Sequence, residues 1–140
     1  MIRSPVTKTL MTFAEGMRGG RWKVYRRAVD WSKFSFTNHP YAMAVMLDNT
    51  SLFRNEKGMH TATLTLEMFT RLPVEAEGID DKVLDSIHED ALQLLNMLKT
   101  AVDDNGDSIV LKMGTTGNAA EVYDASLSVQ GIVASVNIDF

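Results

Sequence analysis

Three histidines, His39, His60 and His88, are the side chains best suited to proton transfer or metal ligation, and none has the company that either task needs. A helical zinc pair takes two good ligands at i and i+4 and a third from elsewhere. His88 has only Asp85 and Glu89 as near helical neighbours, which reads as a solvated face; His39 stands beside Pro40, and His60 opens a strand on its apolar side. "DDNGD" (103–107) lacks the spacing of a calcium loop and the bidentate glutamate that completes one. It reads as a turn with positive φ at Asn105-Gly106. "GTTGNAAE" (114–121) lacks the lysine and the strand-to-helix setting of a phosphate loop, and reads as a polar hairpin connection. No serine occupies a nucleophile elbow, no two carboxylates pair on a recognisable frame, and the chain has no cysteine. The expectation is a protein that is not an enzyme and takes no metal or cofactor.

One stretch, "RGGRWKVYRRAVDW" (18–31), carries the chemistry of nucleic-acid contact. Arg18, Arg21, Lys23, Arg26 and Arg27 could clamp phosphates while Trp22 and Tyr25 stack on bases. The charge of the rest of the chain opposes that use. Residues 1–40 hold eight basic side chains against two acidic ones, a net +6, whereas residues 41–140 hold six against sixteen, a net −10. Two arrangements satisfy such polarity: a basic arm folded back on its own acidic body, or head-to-tail association with another copy. In either, the aromatics anchor the arm and the arginines pair with acidic groups.

These residues must be positioned by one domain, since 140 residues suffice for a single core. A hydrophobic share of 45% and a charged share of 23% are those of a globular protein whose folding rests on packing, with no disulfide to help. No apolar run approaches the ~18 to 20 residues that cross a bilayer. The N-terminus also lacks a basic region followed by an apolar core and cleavage site. The expected setting is intracellular, or a particle assembled inside a cell, without a membrane partner.

The elements follow from hydrophobic periodicity. Ser4-Pro5 opens a helix in which Val6, Leu10, Phe13 and Met17 recur at helical spacing, and Gly16, Gly19 and Gly20 end it. Residues 21–38 read as extended without a clear register. After His39-Pro40, "YAMAVML" (41–47) is a strand apolar on both faces, and 48–58 is a polar loop containing Phe53 and Arg54. In "MHTATLTLEMFTRL" (59–72), Ala62, Leu64, Leu66 and Met68 point to the core, and Thr61, Thr63, Thr65 and Glu67 point away. Pro73 ends that strand. A second helix, capped by Asp80 or Asp81 and running to about Val102, carries the stripe Ile79, Val83, Ile87, Ala91, Leu94, Leu95 and Leu98. "SIVLKM" (108–113) is a short strand alternating at Ile109, Leu111 and Met113, and Glu121–Asp124 can add some pairing. The last strand, "LSVQGIVASVNIDF" (127–140), buries Ile132, Ala134, Val136, Ile138 and Phe140; Val129, Val133, Ser135, Asn137 and Asp139 form its other face. The fold class is α+β in αββαββ order, a mainly antiparallel sheet of four or more strands with two helices on one face. Residues 1–37 form the first helix and basic aromatic arm, and 38–140 the ββαββ body.

Three segments carry a resemblance: "HPYAMAVMLDNTSLFRNEKGMHTATLTLEMFTRL" (39–72), "GIDDKVLDSIHEDALQLLNMLK" (78–99) and "DASLSVQGIVASVNIDF" (124–140). In order and length, over residues 38–140, the chain resembles the tail terminator, or tail-completion, proteins of tailed bacteriophages. The resemblance implies a structural virion protein, assembled in the host cytoplasm, whose homohexameric ring caps the tail tube and ends its polymerisation. Its partners would be further copies of itself, the tail tube protein and a neck or head-completion protein, with nucleic acid only passing through the lumen. Alternatives are another small neck or head-completion protein, or a nucleic-acid-binding module using residues 18–27. Residues expected at subunit or tube contacts are Arg18, Arg21, Trp22, Lys23, Arg26 and Arg27 on the arm; Phe53 and Arg54 on the loop; Thr61, Thr63, Thr65 and Glu67 on the threonine strand; and Ser135, Asn137 and Asp139, with the backbone edge of the last strand.

Overall fold

The threonine-rich strand lies in the middle of the sheet, and its strict alternation turns every second side chain to the core beneath the helices. The computed structural model describes residues 4–72, 78–115 and 117–140. Its elements are α1 (Ser4–Gly16), β1 (Lys23–Tyr25), β2 (Tyr41–Asp48), β3 (Thr61–Arg71), α2 (Asp81–Thr100), β4 (Lys112–Met113), β5 (Asn118–Asp124) and β6 (Val129–Asp139). Single turns of 3-10 helix follow α1 at Met17–Gly19 and precede β2 at Trp31–Lys33. The strand order is β1-β2-β3-β6, and β4 and β5 lie in succession along the far side of β6.

The architecture is α+β, and the sheet is mixed. β2, β3, β6, β4 and β5 pair antiparallel, whereas β1 runs parallel to β2, with Lys23 opposite Ala42 and Tyr25 opposite Ala44. The expectation of a mainly antiparallel sheet missed β1. The link from β1 to β2 is too long for a hairpin, and it crosses the sheet face opposite the helices.

One side of the sheet carries the main core. Val6, Leu10, Ala14 and Met17 of the N-terminal helical segment meet Met43, Val45, Ala62, Leu64, Leu66 and Met68. Leu84, Ile87, Ala91, Leu94 and Leu98 of α2 pack beside them, and Ile132, Ala134, Val136 and Ile138 of β6 complete the set. Phe13 is only partly buried, and Ala14 takes the contact expected of it. Ile79 is 44% exposed, since it precedes the Asp80 cap and does not share the helical phase; Leu84 joins the stripe instead.

Helix ends follow the sequence signals. Asp80 Oδ1 accepts from the N–H groups of Lys82 and Val83 at 3.1 and 3.3 Å, satisfying two orphan donors of α2. The buried amide of Gln130 grips the same cap residue, accepting from Asp80 N at 2.8 Å and donating to Asp80 O at 3.2 Å. The start of α2 is thereby tied to β6. Gly20 closes the N-terminal helical segment in the left-handed conformation, its N–H reaching Met17 O. Whether Ser4 caps α1, and whether Pro73 ends β3, falls outside the described side chains and residues.

The opposite sheet face holds a second apolar cluster, Phe36, Ala42, Phe69 and Val129, with Trp31, Phe34, Val122, Leu127 and Val133 packed against it. Trp31 lies edge-on to Phe69 at 5.1 Å, and Phe34 to Phe36 at 4.9 Å. Residues 26–38, within the stretch expected to be extended, fold instead as a lid of aromatics over this end of the sheet.

Two turn and strand readings need correction. "SIVLKM" alternates only on paper: Val110 is buried and Leu111 is 56% exposed, because the Val102–Ser108 bridge bends the chain and leaves only Lys112–Met113 to pair. In the 103–107 turn, Asp103 Oδ1 accepts from Asn105 N and Asp107 N, and the positive φ falls on Gly106 alone.

β6 has neighbours on both edges, so its backbone edge is not open to a partner as expected. Gly131 opposes Phe69, whose ring fills the place of the missing side chain. A Cβ there would lie 1.9 Å from Met68 O and 2.8 Å from Phe69 Cα. Gly131→Ala therefore has no rotamer to escape through, and should cost about 3 kcal/mol or more in urea unfolding. Unchanged stability would show that the β3–β6 register is wrong.

Candidate functional site

The residues expected at a contact surface fall into two groups, one exposed and one internal. The exposed group lies on the outer face of β3 and β6. Thr61 stands opposite Asp139, Thr63 opposite Asn137, and Thr65 opposite Ser135, so the polar positions of two distant segments form one ladder. The Thr63 hydroxyl donates to Asn137 Oδ1 at 3.1 Å, and the Thr65 hydroxyl to Asp48 Oδ2 at 2.9 Å. Cross-strand hydroxyl and amide pairs of this kind stabilise the pairing while leaving side-chain lone pairs and N–H groups on the face.

At the same end of the sheet, the 49–60 loop presents Leu52 and Phe53 at 82% and 79% exposure, with Arg54 beside them. The loop is shaped by its own bonds. Asn55 Oδ1 accepts from Lys57 N and Met59 N, Asn55 N donates to Met59 O at 2.8 Å, and Gly58 takes a positive φ. Its base is stitched to the C-terminal strand by reciprocal bonds between His60 and Phe140, at 2.7 and 2.9 Å. Two adjacent large apolar side chains thus stand out from a loop that its own hydrogen bonds hold in place.

Glu67 marks where the polar ladder meets the aromatic lid. Burial pushes its carboxyl up from the usual range, and nearby Asp48 adds to that. The Trp31 indole N–H lies close enough to favour the ionised form without closing a hydrogen bond.

The internal group is centred on Asp90, fully buried on α2. Its two oxygens receive Arg18 Nε on one side, and Arg21 Nη2 and Trp22 Nε1 on the other, the last two both at 2.9 Å. Arg21 also donates to Ser86 Oγ at 3.2 Å and lies over the Tyr41 ring at 4.4 Å. The Asp90 hydrogen bond and charge hold the Arg18 guanidinium still higher than its ordinary value. Trp22 is 3% exposed and offers no face to a base. Arg18, Arg21 and Trp22 thus fasten the N-terminal segment to α2, while Lys23, Arg26 and Arg27 stay exposed, Lys23 and Arg27 over the Tyr25 ring.

Sequence reasoning passed over Asp90. The available signal was its phase: position 90 falls between Ile87, Ala91 and Leu94 on the apolar stripe, where an acid demands partners, and the arm holds surplus arginines. It also placed the start of β5 three residues late, at Glu121 instead of Asn118.

Of the histidines, His60 is buried with Nδ1 3.2 Å from Ser51 O, and His88 Nε2 lies 3.5 Å from Glu121 Oε1. His88 borders a groove of about 490 Å³ between α2 and the β4–β5 edge, walled by Ala91, Leu92 and Leu95 and floored by Ile132, Ala134 and Val136. These walls supply no convergent set of acids and bases. Among the described residues, no three His, Asp or Glu side chains stand together as metal ligands, and no helix is long and apolar enough to cross a membrane. No family model matches the chain, and no curated protein matches it.

Two outcomes test this geometry. Asp90→Ala strands buried donors around an empty position and should cost about 3–5 kcal/mol in chemical unfolding, well beyond an exposed pair; a loss below about 1 kcal/mol would remove Asp90 from its central place. Glu67 has a folded-state pKa above its unfolded one, so ionising it disfavours the fold, and stability falls as pH rises through that window. Glu67→Gln should therefore raise the melting temperature by about 1–3 °C at pH 7 and leave it unchanged near pH 3. An equal shift at both pH values would exclude the carboxylate as the cause.

Proposed function

We propose that this protein is a structural subunit of a tailed-phage particle, a tail terminator that forms a hexameric ring on the end of the tail tube, stops tube polymerisation and joins the tail to the neck or head. The observation that carries this reading is the outer β3/β6 face: a polar ladder beside a braced loop bearing Leu52 and Phe53. Exposed apolar side chains next to a polar sheet face support docking to another protein. The resemblance over residues 38–140 supplies the class of particle.

Charge supports association between copies. Arg18 and Arg21 satisfy Asp90 within the protomer, so the arm folds back in part; Lys23, Arg26 and Arg27 remain on the surface of a chain whose other hundred residues carry −10. A ring joins two different surfaces of one protomer, and such polarity provides them. The nucleic-acid reading is weakened by the burial of Trp22 and the commitment of two arginines to Asp90.

Electron microscopy of lysates lacking this protein should show tails of uncontrolled length without heads. Tails of normal length with heads attached would overturn the reading. The native protein on tube ends should have the mass of a hexamer, and Asn137→Arg should keep the unfolding midpoint while reducing head-joined tails by about tenfold or more. A stable dimer both in solution and on the particle would exclude the ring.

A further inference from the structure

The sheet has two open edges, β1 at one end and β5 at the other, and they differ in charge. β5 reads Asn-Ala-Ala-Glu-Val-Tyr-Asp, seven residues with neither lysine nor proline to guard the edge. Its ladder is filled on the β6 side only, and among the described residues no turn or loop bond reaches its backbone. Glu121 and Asp124 give it negative charge. β1 pairs with β2 only, and Lys23, Arg26 and Arg27 surround it with positive charge.

Direction and level also agree. β1 runs parallel to β2, and successive antiparallel pairings through β3 and β6 leave β5 antiparallel to β1. Lys23, Ala42, Phe69, Gly131 and Val122 occupy one row across the sheet, so both open edges lie at the same height. We propose that β5 of one copy pairs antiparallel with β1 of the next, continuing the sheet from protomer to protomer. This deepens the ring reading and rests on it.

Pairing β5 with itself would bring Glu121 and Asp124 of one copy near those of the other, a like-charge contact that disfavours a two-fold dimer. Head-to-tail pairing instead sets acid beside base. It also resolves the groove beside α2. Along the helix-bearing face, α1 covers β1 and β2, and α2 covers β3 and β6, but no helix covers β5. A neighbour docking through β1 brings its own α1 onto that face, beside Leu92, which is otherwise 62% exposed.

The absence of cysteine makes the test direct. Lys23→Cys/Val122→Cys places one thiol on each edge in the same row, and Lys23→Cys/Ala120→Cys covers a two-residue slip. Oxidation of the full-length protein at concentrations where it sediments as an oligomer should give a covalent ladder ending at the ring, while each single variant stays monomeric under denaturing conditions. Reduced double variants should unfold at the wild-type midpoint, which excludes misfolding. Glu121→Lys should weaken association about tenfold at low salt, with the loss shrinking at high salt. An oligomer that cross-links through neither pair overturns the edge pairing and leaves the ring reading standing. Cross-linked dimers of Val122→Cys alone overturn it in favour of a two-fold contact. A protein that is monomeric at every concentration, and bound singly at tube ends, overturns both.

Discussion

A carboxylate without access to water is tolerated only where its charge and lone pairs are fully answered, and Asp90 meets that condition by drawing three side chains onto one point. Arg18, Arg21 and Trp22 all come from the short stretch between α1 and β1. Fixing that stretch on α2 ties the end of α1 to α2 and delivers the chain to the edge of β2. The left-handed conformations of Arg18, Gly19 and Gly20 turn the backbone so that both guanidinium groups can face the same acid. Without the buried charge, the exposed Arg18–Glu89 pair and the Arg21–Ser86 bond would remain as much weaker guides to where the segment docks.

The sheet between the two apolar clusters is organised by β6. It pairs with β3 along its whole length, carries β4 and β5 on its other side, and grips the cap of α2 through Gln130. Its inner positions serve the helices. Its outer positions change character along the strand, from Val129 and Val133 under the aromatic lid to Ser135, Asn137 and Asp139 on the open ladder. Glu67 sits at that boundary, which is why its carboxylate is partly desolvated. One strand thus closes the core and supplies half of the candidate contact face.

Much of this was readable from residue order. Period-two alternation in β3 and β6, the Asp80 cap, and the stripe of α2 are local signals, and each placed its element and its buried face. What escaped was non-local. The parallel pairing of β1 depends on where residues 26–40 cross, and their aromatic pattern does not say which sheet face they cover. Asp90 was passed over as a site because its partners lie far away in sequence, and its place on the apolar stripe signals burial without naming them. The thirteen or so polar and basic contact candidates divide along the same line: the threonine ladder was legible as a face, whereas the division of the arm between internal and exposed basic residues was decided by tertiary contacts.

The Arg18–Asp90 contact spans 72 residues of sequence. At ribosomal speeds of about 5–20 residues per second, α2 is completed about 4–16 s after the segment that must dock on it. During that interval the first helix and β1 have neither their anchor nor, until residue 48 emerges, their sheet. Docking of the N-terminal segment therefore waits on a contact of high sequence separation, the kind whose loop-closure cost slows folding.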